Sequence, residues 1–389
     1  MGKLKVMKKT ILFLLLSTMM FFITSCEKQI VESTNKTYQI RDVEIDGTTY
    51  SVLEGVINEN LTLSSDYNWL LLGGVFVEEG STLTIPVGQT IYASTDVTTF
   101  LSIKQGGKII AEGTQNNPII FTPLKPNPTY GDWGGIIING YASINTGLTA
   151  EGEGGTGIYG GTNDLDNSGI LRYVRVEYAG KILGTDNELN GFSFNGVGSG
   201  TVVEYIQAYK GSDDGIEFFG GTVNVRYAVS TQNQDDAFDW THGWRGKGQY
   251  WFAQQGPDGG DRGIEADNNA DDNTIQPFSN PILSQVTLNG FNDGDGLNEG
   301  VRLREGTKGK IYNSIITGFP KYGVRVTEKQ TLDNITSGEL FVANSNVTNN
   351  GTNYNGYDFT NFSSKLVDSW FYQDLNVGSG TQWMANWTK

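Results

Sequence analysis

Cysteine and histidine are nearly missing from this chain, which has one of each, Cys26 and His242, in 389 residues. That excludes a disulfide framework, and it excludes most transition-metal cages, which need several thiolate or imidazole ligands. Proline is scarce as well, with 9 residues against 52 glycines. Turns must therefore be made mainly by glycine, asparagine and aspartate, which tolerate positive φ or bond their own backbone. No amphipathic helical periodicity of useful length follows residue 26. Nothing has the spacing of a Ser-His-Asp nucleophile elbow or a phosphate loop. Positive charge is short too: 27 Lys and Arg against 43 Asp and Glu give −16 at pH 7. That balance argues against nucleic acid and against electrostatic docking to anionic lipid. What is left, rich in glycine, 12% aromatic and only 18% charged, is the composition of a turn-rich all-β protein.

The first 25 residues stand apart. Lys3, Lys5, Lys8 and Lys9 precede an apolar run from Thr10 to Thr24, too short and wrongly flanked for a membrane span and suited to a secretory signal. The run ends Ile23-Thr24-Ser25-Cys26, which resembles the lipobox of bacterial lipoproteins, whose cysteine is acylated and becomes the new N-terminus. Lipidation of Cys26 would explain a lone cysteine in an exported chain, where paired cysteines are the rule. Removing the four lysines of this segment, which carries no acid, takes the net charge from −16 to −20. Attachment to the outer membrane would then come from acyl chains rather than from a basic patch.

Six segments repeat one phrase: Gly191-Phe192-Ser193-Phe194, Gly215-Ile216-Glu217-Phe218, Ala237-Phe238-Asp239-Trp240, Gly263-Ile264-Glu265-Ala266, Gly300-Val301-Arg302-Leu303 and Gly323-Val324-Arg325-Val326. Their starts are 24, 22, 26, 37 and 23 residues apart. Each reads small, apolar, polar, apolar, the period of a strand with one face buried. One such strand in each repeat of about two dozen residues implies a solenoid of stacked coils. From residue 169 a second apolar strand precedes each phrase, as at Ile170 to Tyr178, Val202 to Tyr209 and Ile282 to Leu288. Residues 48 to 150 hold similar short strands, and 151 to 168 read as a protruding loop. The expected organisation is a signal over 1–25, a tether over 26–47 with room for a strand at Tyr38 to Val43, and one all-β domain over 48–389, a right-handed parallel β-helix. Trp370, Phe371, Tyr372, Trp383 and Trp387, beyond about residue 365, are placed to cap its open end. The inward ladder is Phe194, Phe218, Trp240, Ala266, Leu303 and Val326, with Ala266 predicting a bulky neighbour or a gap.

Four stretches carry a resemblance. Ser81-Thr82-Leu83-Thr84-Ile85-Pro86-Val87-Gly88-Gln89-Thr90-Ile91, Gly106-Gly107-Lys108-Ile109-Ile110-Ala111-Glu112-Gly113-Thr114, Pro118-Ile119-Ile120-Phe121-Thr122 and Gly131-Asp132-Trp133-Gly134-Gly135-Ile136 look like a block common in Bacteroidetes cell-surface proteins. Those proteins resemble right-handed β-helices of the pectin-lyase-like type. The resemblance covers most of residues 48 to 330, implies the fold and an envelope location, and says little about activity. Lipoproteins of that phylum often accompany TonB-dependent outer-membrane receptors, so such a receptor is an implied partner.

Coils of a parallel β-helix lie about 4.8 Å apart. The polar position of the phrase then stacks Ser193, Glu217, Asp239, Glu265, Arg302 and Arg325, and the next outward position stacks Asn195, Phe219, Thr241, Asp267, Arg304 and Thr327. Like charges at that spacing repel by about 1 kcal/mol in water and roughly 3.5 kcal/mol at an effective dielectric of 20. A cation, a raised pKa, or Arg245 and Arg262 from nearby turns must relieve this. Calcium would find hard oxygen ligands in Glu217, Asp239, Glu265 and Asp267. Asp239 and Glu265, with Arg302, could act on a glycosidic bond of an acidic polysaccharide. A glycan or other anionic ligand could instead be held by Glu217, Asp239, His242, Trp244, Arg302, Arg304 and Arg325 without reaction. The plainest alternative is a solvated face on which Arg302 pairs with Glu265.

The pairs Asp213-Asp214 and Asp235-Asp236 precede consecutive phrases at one offset, and Asp293 and Asp295 precede a later one; aspartates at such corners usually form turns. Asp235-Asp236 with Thr241-His242-Gly243 resembles, in part, elements of polygalacturonase-like hydrolases, but the spacing is short and no Arg-Ile-Lys element follows. The expected role is a non-enzymatic surface lipoprotein that presents this face to a glycan, nutrient ligand or receptor. A polysaccharide lyase or hydrolase, and a structural adhesin, are the alternatives.

Overall fold

Strands form where the sequence alternates, and their pairing is rung on rung. The computed structural model describes residues 37–184, 187–292, 296–373 and 376–389. The signal, Cys26, Asp293 and Asp295 lie outside the described residues. The phrase strands Phe192–Asn195, Ile216–Phe219, Phe238–Thr241, Arg262–Ala266, Glu299–Leu303 and Tyr322–Val326 run parallel in unbroken register. The series continues upstream through Ile136–Asn139 to Phe100–Ile103. The small residue opening each phrase has a steric reason: a Cβ on Gly191 or Gly300 would stand 2.5 and 2.4 Å from the next coil's carbonyl oxygen.

The other two sides of each coil come from one long strand bent at its middle. Gly169–Glu177 pairs through its first half with Lys108–Glu112 and through its second half with Ile119–Pro123, two separate strands of the preceding coil. Ile282–Asn289 likewise divides its pairing between Gly309–Tyr312 and Ile315–Thr317. The bend is a residue in the left-handed region: Tyr173, Tyr205, Tyr227, Tyr250, Gln285, Asn313 and Asn344 all have φ between +50° and +62°. That conformation is unfavourable for side-chain-bearing residues. Here the tyrosines recover contact by stacking, with ring centroids 4.2, 4.2 and 4.9 Å apart from Tyr173 through Tyr205 and Tyr227 to Tyr250. The result is a right-handed parallel β-helix whose main hydrophobic cluster runs from Tyr38 to Phe359.

The inward ladder falls where the alternation puts it, with Phe194 and Phe218 stacked 5.3 Å apart. The small Ala266 sits beneath a bulky neighbour: the Trp240 indole extends past that rung and donates to Thr307 Oγ1 at 3.1 Å. Two boundaries differ from the expected organisation. Thr37–Ile45, assigned to the tether, is a full strand paired antiparallel with Thr48–Ile57, so the fold includes residues 37–47 and this hairpin closes the N-terminal end. The aromatic tail does not cap the far end. That end is closed by the short helix Lys329–Thr336 and a cluster of Tyr312, Phe341, Tyr354, Phe359 and Phe362.

The tail instead runs back along the tyrosine flank. Tyr372 exchanges two backbone hydrogen bonds with the Gln249 side chain, and Lys389 does the same with Gln207. Arg175 donates to the Trp387 carbonyl at 2.7 Å, and Trp387 and Trp383 meet Tyr173 and Tyr227 at 5.7 and 5.2 Å.

Candidate functional site

The phrase register brings the predicted polar ladder together. Ser193, Glu217, Asp239, Glu265, Arg302 and Arg325 face one another on consecutive rungs. They point away from the apolar core, yet Asp239 and Glu265 are only 9% and 7% exposed. Part of the cover comes from the loop expected to protrude. Its Thr156 carbonyl accepts from Ser102 Oγ and Asn139 Nδ2, and its Tyr159 lies 6.3 Å from Phe219 and 3.3 Å, hydroxyl to Nδ1, from His242. The ladder is thus a roofed seam and not a solvated face.

Corner residues complete it. One residue before each of the first five phrases stand Asn190, Asp214, Asp236, Arg262 and Glu299, joined coil to coil by the backbone. Carboxylate oxygens of Asp214, Glu217 and Asp239 all lie within 4.8 Å of one another, and so do those of Asp236, Asp239 and Glu265. Asp213, Asp214 and Asp235 form a further set at the corner. The aspartates expected as turn formers therefore also face the ladder. Their shared offset before each phrase was the sequence signal for this. Tyr159 gave no such signal, because a loop residue's position over a sheet has no periodicity.

Burial pushes the carboxyls of Asp214, Glu217, Asp236 and Asp239 well above the usual range, and their mutual repulsion adds to it. Asp213 and Asp267 are raised to about 8 and Glu153 of the loop to about 7, in each case chiefly by burial. Burial also holds His242 down at about 4, so its ring is neutral at physiological pH. Asp236 Oδ1 and Asp239 Oδ1 are buried without a hydrogen-bond partner, a costly state for a carboxylate oxygen.

The arginines divide sharply. Arg304 donates to both oxygens of Asp267 at 2.8 and 2.9 Å and to Glu265 at 2.7 Å. Arg325 donates to Glu299 at 2.8 Å, where Lys321 also sits at 3.0 Å. Arg262 lies 2.9 Å from Glu265, 3.4 Å from Asp236 and 2.6 Å from Asp261. Arg245 pairs with Asp164, away from the seam. Arg302 has no ion pair among the described residues, and its Nε is buried without a partner. The alternative Arg302–Glu265 pair is not a close contact, because Arg262 and Arg304 already hold both Glu265 oxygens and Arg302 acts on that carboxyl only from farther away.

Several expected roles change accordingly. Trp244 is fully buried and stacked 4.1 Å from Phe218, so it belongs to the core and cannot touch a ligand. Asp267 is committed to Arg304 and leaves the calcium set, which Asp214 and Asp236 join. Arg304 and Arg325 are internal partners before they are ligand donors. Asp239 and Glu265 bring carboxylate oxygens within 4.8 Å of one another, with Glu265 already held by Arg262 and Arg304.

A family model described as a pectate-lyase-like β-helix domain matches residues 55–389. No curated protein and no solved structure matches the chain significantly.

Proposed function

Because this chain belongs to the pectate-lyase-like β-helix family, we propose that its roofed acidic seam binds an anionic polysaccharide through a divalent cation and Arg302. The observation that carries this reading is a pair of opposite deficits side by side. Asp239 has a buried oxygen without a donor, and Arg302, two rungs on, has a buried Nε without an acceptor and no acid within ion-pair distance, acting on Glu265 only at longer range. A uronate-type ligand with a bound calcium ion supplies what both lack. Asp214, Glu217 and Asp239 fit the ion: they offer hard oxygens, one of them unsatisfied, close enough to share one centre. The cation, when bound, would neutralise the seam and attract a sugar carboxylate, while Arg302 would take a second carboxylate with two parallel hydrogen bonds.

The chain's own residues set the limits of the site. Tyr159 and neutral His242 border it on the loop side, and Arg262 and Arg304 fix Glu265. Acylation at Cys26 would hold the fold at the outer membrane, where the resemblance to Bacteroidetes surface lipoproteins implies a TonB-dependent receptor as partner. The binding test uses protein lacking residues 1–25 with polygalacturonate and alginate, in calcium and in chelator. Saturable binding that chelator removes and that Arg302→Ala weakens at least tenfold is expected. Binding to neither polymer in calcium overturns the reading and leaves the structural adhesin.

A second reading is a polysaccharide lyase, with the buried Asp239 and Glu265 as its acid and base groups and Arg302 holding the substrate beside them. Appearance of unsaturated uronate ends in the same incubations separates it from binding alone.

A further inference from the structure

We infer that Arg262 is a built-in counter-ion that fills the second of two equivalent cation sites, so that the seam holds one exchangeable ion and not two. This rests on the cation-dependent reading above and specifies its stoichiometry. The two sites have the same construction. Each takes one corner residue and two ladder acids from consecutive rungs: Asp214 with Glu217 and Asp239, then Asp236 with Asp239 and Glu265. The repeat that makes them alike also places the next corner residue. After Asp214 and Asp236 the corner column reads Arg262, with Ala237 N–H bonding the Arg262 carbonyl as Gly215 N–H bonds that of Asp236.

That arginine turns back onto the second site. Its Nε lies 2.9 Å from Glu265 Oε1 and its Nη1 3.4 Å from Asp236 Oδ2. The Nε–Glu265 approach is an ion pair without hydrogen-bond alignment, as both atoms are otherwise unpartnered. Arg304 closes the far oxygen of Glu265 at 2.7 Å. A cation entering there would meet a guanidinium already in place. The first site has no such occupant. Among the described residues, no cationic side chain lies within ion-pair distance of Asp214, Glu217 or Asp239. Glu217 accepts only the Asn190 amide, Asp214 accepts the Asp236 N–H, and Asp239 Oδ1 is left bare.

The arrangement also orders the seam for a ligand. An exchangeable ion sits at the Glu217–Asp239 rungs, a fixed positive charge at the Glu265 rung, and the unpaired Arg302 on the rung after that. A polyanion would therefore meet one displaceable and two permanent positive centres in sequence.

The test is calcium stoichiometry by native mass spectrometry and titration calorimetry on protein lacking residues 1–25. The wild type is expected to bind one ion in the seam and Arg262→Gln two, with Arg262→Gln/Asp236→Asn returning to one. Two ions in the wild type, or one in both the wild type and Arg262→Gln, overturns the inference. No ion in the wild type overturns the cation reading itself, so the two failures are distinct. Should Arg262→Gln not fold, Asp236→Asn and Asp214→Asn decide. Asp236→Asn should keep the ion with affinity within about threefold, and Asp214→Asn should weaken it by at least tenfold. Loss of the ion on Asp236→Asn places it in the second site and overturns the assignment.

Discussion

Two flanks of the solenoid use one device with opposite results. On the tyrosine flank, Tyr173, Tyr205, Tyr227 and Tyr250 stack on consecutive rungs, and the tail covers them with hydrogen bonds and aromatic contacts. On the acidic flank, Glu217, Asp239 and Glu265 stack at the same interval, and loops cover them while leaving buried oxygens bare. Stacking a neutral ring on a ring gains dispersion and apolar burial, whereas stacking a carboxylate on a carboxylate costs Coulomb energy and desolvation. A covered and satisfied ladder is a stability element. A covered and unsatisfied one is retained against its cost, which is why it is the face proposed for binding.

The largest test of the contrast removes the tail. Truncation after Lys365 takes away the buried Trp387 and Phe371 and uncovers the tyrosines. Two such side chains predict a loss of roughly 3–6 kcal/mol in denaturant unfolding, with the calcium response unchanged. An unaltered midpoint would mean that the tail is an ornament and the two flanks are not different in kind. Next come paired substitutions that should move stability in opposite directions without calcium at pH 8. Tyr205→Ala should lose roughly 2–3 kcal/mol, since a half-buried ring and both its stacking partners are affected. Glu217→Gln should gain about 1 kcal/mol by removing one repelling charge, and should abolish calcium stabilisation. Loss of stability in both would show that the acid ladder is internally satisfied.

The acid flank should also make stability fall as pH rises. Its carboxyls bind protons more tightly folded than unfolded, so the native state holds more protons and the slope of unfolding free energy with pH is negative. Their contribution is complete below the ordinary carboxylate range near 4 and lost as pH passes the folded values, about 8 for Asp213. His242, lowered to about 4, works the other way only below its ordinary value near 6.5. The window from pH 6.5 to 8.5 therefore isolates the acids. Melting temperature in chelator should decline across it, and calcium should restore it most at the alkaline end. A flat chelator profile would remove the electrostatic account of this face.

Much of this contrast was legible in the chain. Alternation in the phrase fixes which side chains enter the core, and the near-constant interval fixes the rungs, so the ladder from Ser193 to Arg325 follows from counting. The corner aspartates share an offset and were visible as a pattern, though turn chemistry explains them equally well until Asp214 and Asp236 are seen beside the ladder. Contacts with no period were illegible. Tyr159 reaches Phe219 and His242 from a loop, Trp244 fills space left inside the Phe218 rung, and the tail travels back over more than a hundred residues of sequence to meet Tyr173. The choice of partner for each arginine was equally hidden, because three guanidinium groups compete for Glu265 and only geometry decides among them.

That competition yields the smallest stability effect and the sharpest comparison, between two arginines on adjacent rungs. Arg302 and Arg325 face each other in register, and the sequence offers no reason to treat them differently. Arg325 is bound to Glu299, a carboxylate that is 1% exposed, whereas Arg302 has no ion pair among the described residues and reaches Glu265 only at longer range. Removing a charge that has no internal partner forfeits little, so Arg302→Gln should leave unfolding free energy within about 0.5 kcal/mol. Removing one that serves a buried acid strips Glu299 of half its compensation, and Arg325→Gln should cost roughly 1–3 kcal/mol even with Lys321 remaining. Polyanion binding should reverse the order, falling at least tenfold in Arg302→Gln and less than threefold in Arg325→Gln. Equal effects on both measurements would mean that Arg302 is one more structural arginine, and the proposed binding face would lose the one ladder arginine without an ion pair among the described residues.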